Sequence, residues 1–239
     1  MDGILYSAIG DRYLAEALTS ARSSLRFNHV PHRISTDQEV TPAEADPDEL
    51  SIRTYRPGDD AFAEKIHSMA ASPFERSIFL DTDTYVTNYI CHVLDLLDKY
   101  DMAAAFAPGY RGMKDPEVPT AFYELNTGVI AWRSGERTAS FFADWLDTYA
   151  QMTRERPFHP LPGSGFEQPA FRRCAWRHEL ALYVLGPEYN YRPKKPGSVT
   201  AQVRVLHGRR MDFEKVAAEV NREDGARAFQ SLTARPRER

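Results

Sequence analysis

The chain has 239 residues, enough for one sizeable α/β domain and too few for two comfortable ones. Its net charge is −4 and its only strongly basic stretch is terminal, at 233–239, which argues against nucleic acid as a partner because phosphate binding needs clustered Lys and Arg. No run approaches the ~18 apolar residues of a transmembrane segment, no signal-peptide pattern precedes the first strand, and Cys91 and Cys174 give no disulfide framework, so we expect a cytoplasmic protein with buried, reduced thiols.

The first half of the chain alternates short apolar runs with helical periodicity, which is typical of an α/β fold with a largely parallel sheet. A first strand at 3–9 is followed by Leu14, Leu18, Ala21 and Leu25, which have the spacing of one helix face. The other elements predicted here are strands at 30–36, 51–55 and 77–80, a helix at 60–71 and an acidic surface loop at 37–49.

The second half continues this alternation around one long loop at 108–120, rich in proline and glycine, and loops of this kind are often functional. We interpret an aromatic helix stripe at 141–149 as core packing. The other elements predicted here are a helix face at 90–97, strands at 102–107, 129–132, 181–185 and 203–206, and a charged helix from 212 with Phe213, Val216, Val220 and Phe229 turned inward. The predicted organisation is one domain at 1–210, followed by a charged helix and tail at 211–239.

Two acidic residues, Asp81 and Asp83, directly follow the apolar strand at 77–80. Strand side chains alternate, so the two carboxylates point the same way if the chain stays extended, and ligands of open α/β sheets gather at the carboxyl ends of strands. A cation between them would relieve their repulsion, and oxygen ligands suit Mg²⁺ or Mn²⁺. Such a cation could bridge a diphosphate and neutralise charge on a leaving group. A DxD also occurs as a simple turn or helix cap, and the pair alone leaves both interpretations open.

The surrounding segment, 79–86, reads FLDTDTYV and resembles the LDxD(T/S)xV segment of GT-A glycosyltransferases, especially the family-8-like group. Further matching points follow in the same order from Tyr6 to His207. The resemblance implies one nucleotide-binding α/β domain with a mixed, mainly parallel sheet flanked by helices. It also implies that Asp81 and Asp83 ligate Mn²⁺ (or Mg²⁺), which holds the diphosphate of a UDP-sugar or related donor, with Asp81 and Thr82 at the donor.

The first βα turn resembles the nucleotide-binding segment of that family, with Ala8 and Tyr13 at matching places. Small residues there let a nucleotide approach the backbone, and an aromatic ring can stack on its base. Gly10 stands where the family often has an acidic residue, and we expect it at the donor. Lys65 lies where the family usually has Arg or Lys near the donor; a solvated helix charge explains it equally well.

Two further segments resemble the sugar side of the family site. Asn126 and Gly128 match its N-(A/T/S)-G-V segment, in which Asn approaches the donor sugar and Gly permits close passage, although Asn with Gly before a strand is also an ordinary turn. Glu167 and Gln168 match its D-Q segment with Glu in place of Asp, although acidic residues in a first helical turn also complement the helix dipole. We expect Gln168, Glu167 and Asn126 to form the catalytic side.

His207 ends the predicted strand at 203–206, and a neutral imidazole is a good ligand for a transition metal. The resemblance implies that His207 completes the metal shell, and that a following Gly and a basic residue contact the donor phosphate. Here Gly208 follows at once, and Arg209 and Arg210 stand where the basic contact is expected. Gly208 and Arg210 are therefore predicted to bind the donor.

The predicted function is transfer of a glycosyl group from a nucleotide-sugar to an acceptor, with retention of configuration as the resemblance implies. The bound cation and the basic residue after His207 would stabilise the departing diphosphate. One alternative is a GT-A-like domain that binds nucleotide-sugar without transfer. Another is a haloacid-dehalogenase-like phosphatase, whose first motif is also a strand running into DxD. Tyr85 stands where that family has Thr or Val, and its later Lys and second acidic pair are not found in suitable context.

Overall fold

A computed structural model describes residues 1–39, 49–56, 58, 60–107, 115–155 and 167–230. The strands are β1 Asp2–Ala8, β2 His32–Thr36, β3 Leu50–Thr54, β4 Arg76–Leu80, β5 Thr84–Val86, β6 Met102–Phe106, β7 Leu125–Arg133, β8 Leu182–Leu185, β9 Gly197–Val199, β10 Val205–His207 and β11 Arg227–Phe229. The α-helices are α1 Asp11–Leu25, α2 Ala61–Ala70, α3 Glu136–Glu155, α4 Glu167–Arg177 and α5 Phe213–Val220, with 3₁₀ helices at Cys91–Asp98 and Pro187–Tyr189.

The central sheet has seven strands in the order β3-β2-β1-β4-β7-β6-β8. Strand β7 runs antiparallel to both of its neighbours, β4 and β6, whereas the other adjacent pairs are parallel. The predicted mixed, mainly parallel sheet is confirmed. Two small antiparallel pairs, β5 with β10 and β9 with β11, lie outside this sheet.

Helices cover both faces of the sheet, because successive side chains of a buried strand point to opposite faces. On β1, Ile4 and Tyr6 join the core beneath α1 and the 3₁₀ helix Cys91–Asp98, whereas Leu5 joins the core beneath α2, α3 and α4. The aromatic stripe of α3 lies wholly in this second core, where Trp145 stacks edge-on against Phe171 at 4.9 Å. The interpretation of the stripe as core packing is confirmed.

The C-terminal part differs from its predicted form in one respect. Helix α5 ends at Val220, and Phe229 lies in β11, which pairs with β9 instead of extending the helix face. Both elements pack into a third small core, where Phe213 stacks on Tyr85 at a centroid distance of 5.1 Å. The division of the chain at residue 210 stays a prediction.

Several smaller expectations can be compared with the described residues. The helix face at 90–97 forms a 3₁₀ helix, and Cys91 and Cys174 are buried and unbridged. Within the described ranges no helix is both long and apolar enough to cross a membrane. Most of the predicted loop at 37–49 and the first half of the loop at 108–120 fall on 40–48 and 108–114, outside the described residues.

Candidate active site

The acidic pair lies at the carboxyl end of β4, in the middle of the central sheet between β1 and β7. The Asp81 N–H donates to the carbonyl of Gly128 on β7 at 2.9 Å, which continues the sheet by one residue. The chain then turns, since the Thr84 N–H donates back to the Asp81 carbonyl at 3.1 Å, and β5 begins. This turn brings the two carboxylates to the same end of the sheet, as the sequence predicted.

His207 reaches the acidic pair through the small β5–β10 ribbon, in which it lies opposite Thr84. Its Nε2 is 3.6 Å from Asp81 Oδ2 and 3.3 Å from Asp83 Oδ1. Ligand atoms of the three side chains all lie within 4.8 Å of one another. We call these residues, Asp81, Asp83 and His207, the Asp–Asp–His cluster.

The orientation of the imidazole is set from behind by Asn190. His207 Nδ1 lies 2.7 Å from Asn190 Oδ1, and Asn190 Nδ2 donates to the carbonyl of Phe106 at 3.4 Å. Because that carbonyl can only accept, Asn190 turns its oxygen to the ring, and Nδ1 must carry the hydrogen. A neutral His207 then presents the lone pair of Nε2 to the two carboxylates, which is the arrangement found in metal-bound histidines.

The chemistry of this donor set fits a divalent cation. Two carboxylates and an imidazole lone pair converge, and each would repel the others without a positive charge between them. Burial favours the neutral form of Asp83, but nearby positive charge, including that of Arg209 and Arg192, outweighs it and holds the pKa of this carboxyl well below its ordinary value. Asp83 is therefore ionised at neutral pH and available as a ligand.

Gly128 lies directly against the side chains of the cluster. A Cβ at this position would lie 2.3 Å from Cε1 of His207 and 2.6 Å from Oδ2 of Asp81, closer than real Cβ contacts allow. The position therefore requires glycine as long as both side chains keep their places.

Lys65 of α2 lies inside the site and is only 8% exposed. Its Nζ is 2.7 Å from Asp81 Oδ1 and 3.5 Å from Glu167 Oε1, and it donates to Thr127 Oγ1 at 3.3 Å. Burial opposes the charge, but the two carboxylates outweigh it, and the pKa of Lys65 is raised. Of the two interpretations left open by the sequence, the solvated helix charge is wrong.

A set of linked side chains begins beside the cluster, and we call these residues, Glu124, Asn126 and Gln168, the amide network. Asn126 Nδ2 donates to Gln168 Oε1 at 2.9 Å, and Gln168 Nε2 donates to Glu124 Oε1. Next to it, Glu167 accepts a hydrogen bond from Thr127 Oγ1 at 2.9 Å. All the polar residues of the predicted catalytic side therefore meet in one place.

The segment 126–128 lies within β7 and not in a turn before it, so the strand predicted at 129–132 begins earlier than expected. The register between β6 and β7 shifts between Ala104 and Ala105, which pair with Ile130 and Asn126. β7 therefore continues beyond this irregularity to Leu125, and the side chain of Asn126 points to the cavity. The ordinary turn suggested by Asn with Gly is therefore wrong.

The cluster and the amide network both line a cavity of about 530 Å³. Nine predicted site residues line it, namely Tyr13, Lys65, Asp81, Thr82, Asp83, Asn126, Glu167, Gln168 and His207. Five do not, namely Ala8, Gly10, Gly128, Gly208 and Arg210. Ala8 is buried in β1, and Gly208 is buried with its N–H on the Asp83 carbonyl at 2.9 Å.

The basic residue that faces the cavity is Arg209, whereas Arg210 is exposed. Arg209 Nη1 lies 3.4 Å from Asp83 Oδ2, its Nε donates to Glu16 at 3.0 Å, and its guanidinium lies 5.4 Å from the centre of the Tyr13 ring. Arg210 has a φ of 59°, in the left-handed region, and its side chain does not line the cavity.

Gly10 has a structural role in the turn between β1 and α1, near Tyr13. Its φ is 97°, in the region that favours glycine, and its N–H donates to Asp37 Oδ1 at 2.7 Å while its carbonyl begins α1. Asp37, directly after β2, therefore places a carboxylate beside this turn but does not line the cavity.

Sequence reasoning missed Glu124, Asn190 and Arg192, all of which belong to the site. Glu124 could have been found, because it lies two positions before Asn126 and strand residues two apart share a face. Asn190 and Arg192 lie in an irregular segment after the 3₁₀ helix Pro187–Tyr189, and no local pattern marks them.

No protein-family model matches the chain, and no curated protein matches it. Similar solved structures are glycosyltransferases at 14% sequence identity. An active-site mutant of LgtC has a TM-score of 0.57, with 87% of this chain and 86% of that one covered. The galactosyltransferase LgtC with donor and acceptor sugar analogues has a TM-score of 0.58, with 100% and 98% covered. The glycosyltransferase GlyE of Streptococcus pneumoniae TIGR4 has a TM-score of 0.61, with 93% and 60% covered. The chain therefore adopts the GT-A fold of these glycosyltransferases, as its sequence predicted.

Proposed function

We propose that the chain transfers a glycosyl group from a nucleotide-diphosphate sugar, in the first place a UDP-sugar, to an acceptor. A divalent cation, Mn²⁺ or Mg²⁺, is held by Asp81, Asp83 and His207. The observation that carries the proposal is the meeting of these three donors within 4.8 Å on one wall of a polar cavity. The amide network lines the same cavity and suits the hydroxyl groups of a sugar.

The diphosphate belongs on the side of the Asp–Asp–His cluster. The bound cation supplies charge neutralisation for the leaving nucleotide diphosphate. Arg209 and Arg192 also line this side of the cavity and add fixed positive charge for phosphate oxygens. The ring of Tyr13 is 41% exposed at the rim, where it can stack on a nucleotide base.

The sugar belongs on the side of the amide network. Asn126 and Gln168 present amide groups whose orientation is already fixed by other protein groups, so little entropy is lost when they bind hydroxyls. The carboxylate of Glu167 is held by Lys65 and Thr127. A carboxylate held in this way is a poor base for activating an acceptor, which supports the proposal that configuration is retained.

The proposal is tested by screening a panel of nucleotide-sugars with Mn²⁺ for thermal stabilisation and for slow donor hydrolysis, with and without EDTA. At least one donor should be consumed, and Asp83→Ala should lower that rate about 10³-fold by removing a cation ligand. Asp95→Ala, an exposed aspartate of the 3₁₀ helix Cys91–Asp98, is the control and should retain the wild-type rate.

Full activity of Asp83→Ala in EDTA would contradict the metal assignment. Stabilisation by a nucleotide-sugar without turnover would instead identify a binding module. Absence of both binding and turnover across the panel would contradict the proposed donor class.

A further inference from the structure

Glu124 is a buried carboxyl of the cavity whose role neither the fold nor the Asp–Asp–His cluster explains. It precedes β7 and is only 4% exposed. The segment before it is fastened to α4, since Arg172 Nε donates to the carbonyl of Phe122 at 2.6 Å and Nη2 to that of Pro119 at 2.8 Å. Glu124 is therefore held firmly against the side chain of Gln168.

A main-chain N–H determines which groups donate and which accept in the hydrogen bonds of the amide network. The Gly128 N–H donates to Asn126 Oδ1 at 3.0 Å, and because an N–H can only donate, the orientation of this amide is settled. Asn126 Nδ2 must then donate to Gln168 Oε1, which also accepts the Thr127 N–H at 3.4 Å. Gln168 Nε2 is left facing Glu124, to which it donates.

Among the residues that the structure describes, this sequence of donors leaves Gln168 with one free group for a substrate. Its carbonyl oxygen is engaged by two protein donors, and one of its two N–H groups is taken by Glu124. The second N–H is the group that remains for a sugar oxygen. An ionised Glu124 can only accept and gives Gln168 Nε2 a charge-assisted hydrogen bond that holds this orientation, whereas a protonated Glu124 offers a weaker, neutral acceptor and an O–H donor of its own, which loosens the contact.

Both states of Glu124 lie within reach of neutral pH. Burial raises its pKa to about 7; the charge of Glu167 adds to this, while the Gln168 N–H and Arg172 oppose it. Among the described residues, Oε2 of Glu124 has no hydrogen-bond partner. A change in its charge is therefore transmitted mainly through Gln168.

We propose that Glu124 is a positioning residue, which locks the Gln168 amide with an N–H directed at an oxygen of the transferred sugar. The inference rests on the proposed function for the identity of the substrate, but the lock itself is a property of the free protein. The carboxylate form of Glu124 is the locked state, and the protonated form loosens it.

The lock is tested first without any substrate, by following the ¹⁵N-labelled side-chain amide of Gln168 by NMR, assigned through its loss in Gln168→Glu. The signal should shift with pH with a midpoint of about 7 in the wild-type chain. It should be independent of pH in Glu124→Gln. Asp101→Asn removes another buried carboxyl, which holds the Ala181 N–H far from the cavity, and should retain the wild-type titration.

Donor hydrolysis or transfer is then measured between pH 6 and pH 8. In the wild-type chain kcat should rise with pH through about 7, because ionisation of Glu124 forms the lock. In Glu124→Gln kcat should fall about 10-fold at pH 8 and lose this dependence, while KM for the donor stays within about 2-fold. A loss of stability alone would not produce this pattern, and Asp101→Asn should retain the wild-type pH profile.

The two proposals fail in different ways. A Gln168 signal that does not titrate near pH 7, or one that titrates unchanged in Glu124→Gln, overturns the lock even if the wild-type chain is an active transferase. An intact titration in a chain that consumes no nucleotide-sugar supports the lock and counts against the proposed function.

Discussion

The two walls of the cavity are built on opposite principles. In the Asp–Asp–His cluster, an imidazole nitrogen lies 3.3 and 3.6 Å from two carboxylates, whose other oxygens are paired with Lys65 and Arg209. In the amide network, each amide is oriented by a neighbouring protein group, starting from a main-chain N–H. The cluster relies on charge, whereas the amide network relies on an orientation that the protein sets before any ligand binds.

The difference shows how one small domain can provide both charge and orientation. Converging like charges make a strong cation site because the cation relieves an existing repulsion. Satisfied amides make a precise sugar site because their geometry is settled before the substrate arrives. Lys65 lies between the two walls, with Asp81 on one side and Glu167 on the other.

The largest effect is expected from Lys65→Met, which removes the charge shared by the two walls. Two carboxylates would lose their buried partner, and we expect the free energy of unfolding to fall by about 3 kcal/mol, at the low end for a broken buried pair because Asp81 is partly exposed. Mn²⁺ should restore part of this loss, since a cation beside Asp81 replaces the missing charge. Urea unfolding with and without Mn²⁺ measures both quantities.

Lys99→Met is the matched control, since this lysine is exposed and distant from the cavity, and its unfolding free energy should change by less than about 0.5 kcal/mol. A loss in Lys65→Met that is equal with and without Mn²⁺ would show that the cation does not bind beside Asp81.

The next effect is expected from Gly128→Ala, which disturbs the cluster and also crowds Asn126, whose Oδ1 would lie 2.9 Å from the new Cβ. The new Cβ would overlap His207 and Asp81, so Mn²⁺ affinity should fall about 30-fold, with a modest loss of stability from overpacking. Gly135→Ala is the control, because a Cβ there meets no atom within 4 Å. Isothermal titration of both variants measures the affinity, and equal affinities would mean that the cluster tolerates displacement.

The smallest effect is expected from Asn190→Ala, which leaves Asp81, Asp83 and His207 in place but removes the hydrogen-bond partner of His207 Nδ1. Loss of the Nδ1 contact should lower Mn²⁺ affinity about 10-fold, as is usual for partners of metal-bound histidines. Asn88→Ala, whose side chain accepts only from the adjacent Tyr89 N–H, should leave the affinity unchanged. If both variants bind Mn²⁺ as the wild type does, Asn190 does not orient His207.

Much of the fold could be predicted from sequence, because its signals are local. The apolar run before Asp81 is a buried central strand, and the helix face from Leu14 to Leu25 lies against the sheet. Local periodicity predicts these elements because each is a short segment that buries one or both of its faces. The sheet order depends on distant pairing and was not predicted; only the mixed, mainly parallel character of the sheet came with the GT-A resemblance.

The parts that could not be predicted depend on contacts between distant segments. The register shift beside Asn126 arises from the pairing of β7 with β6, and Phe229 becomes part of a strand only because β9 lies beside it. Asn190 reaches His207 across 17 positions of irregular chain. None of these has a period or spacing that a single segment reveals.

The short β5–β10 ribbon has a consequence for the order in which the site forms. It joins Thr84, next to the acidic pair, to His207, more than one hundred positions later in the chain. During synthesis the acidic turn leaves the ribosome many seconds before its imidazole partner, at the usual pace of about 5–20 residues per second. A nascent chain can therefore build much of its sheet before the three side chains of the Asp–Asp–His cluster are brought together, and the proposed cation site is completed late, when the far end of the chain folds back.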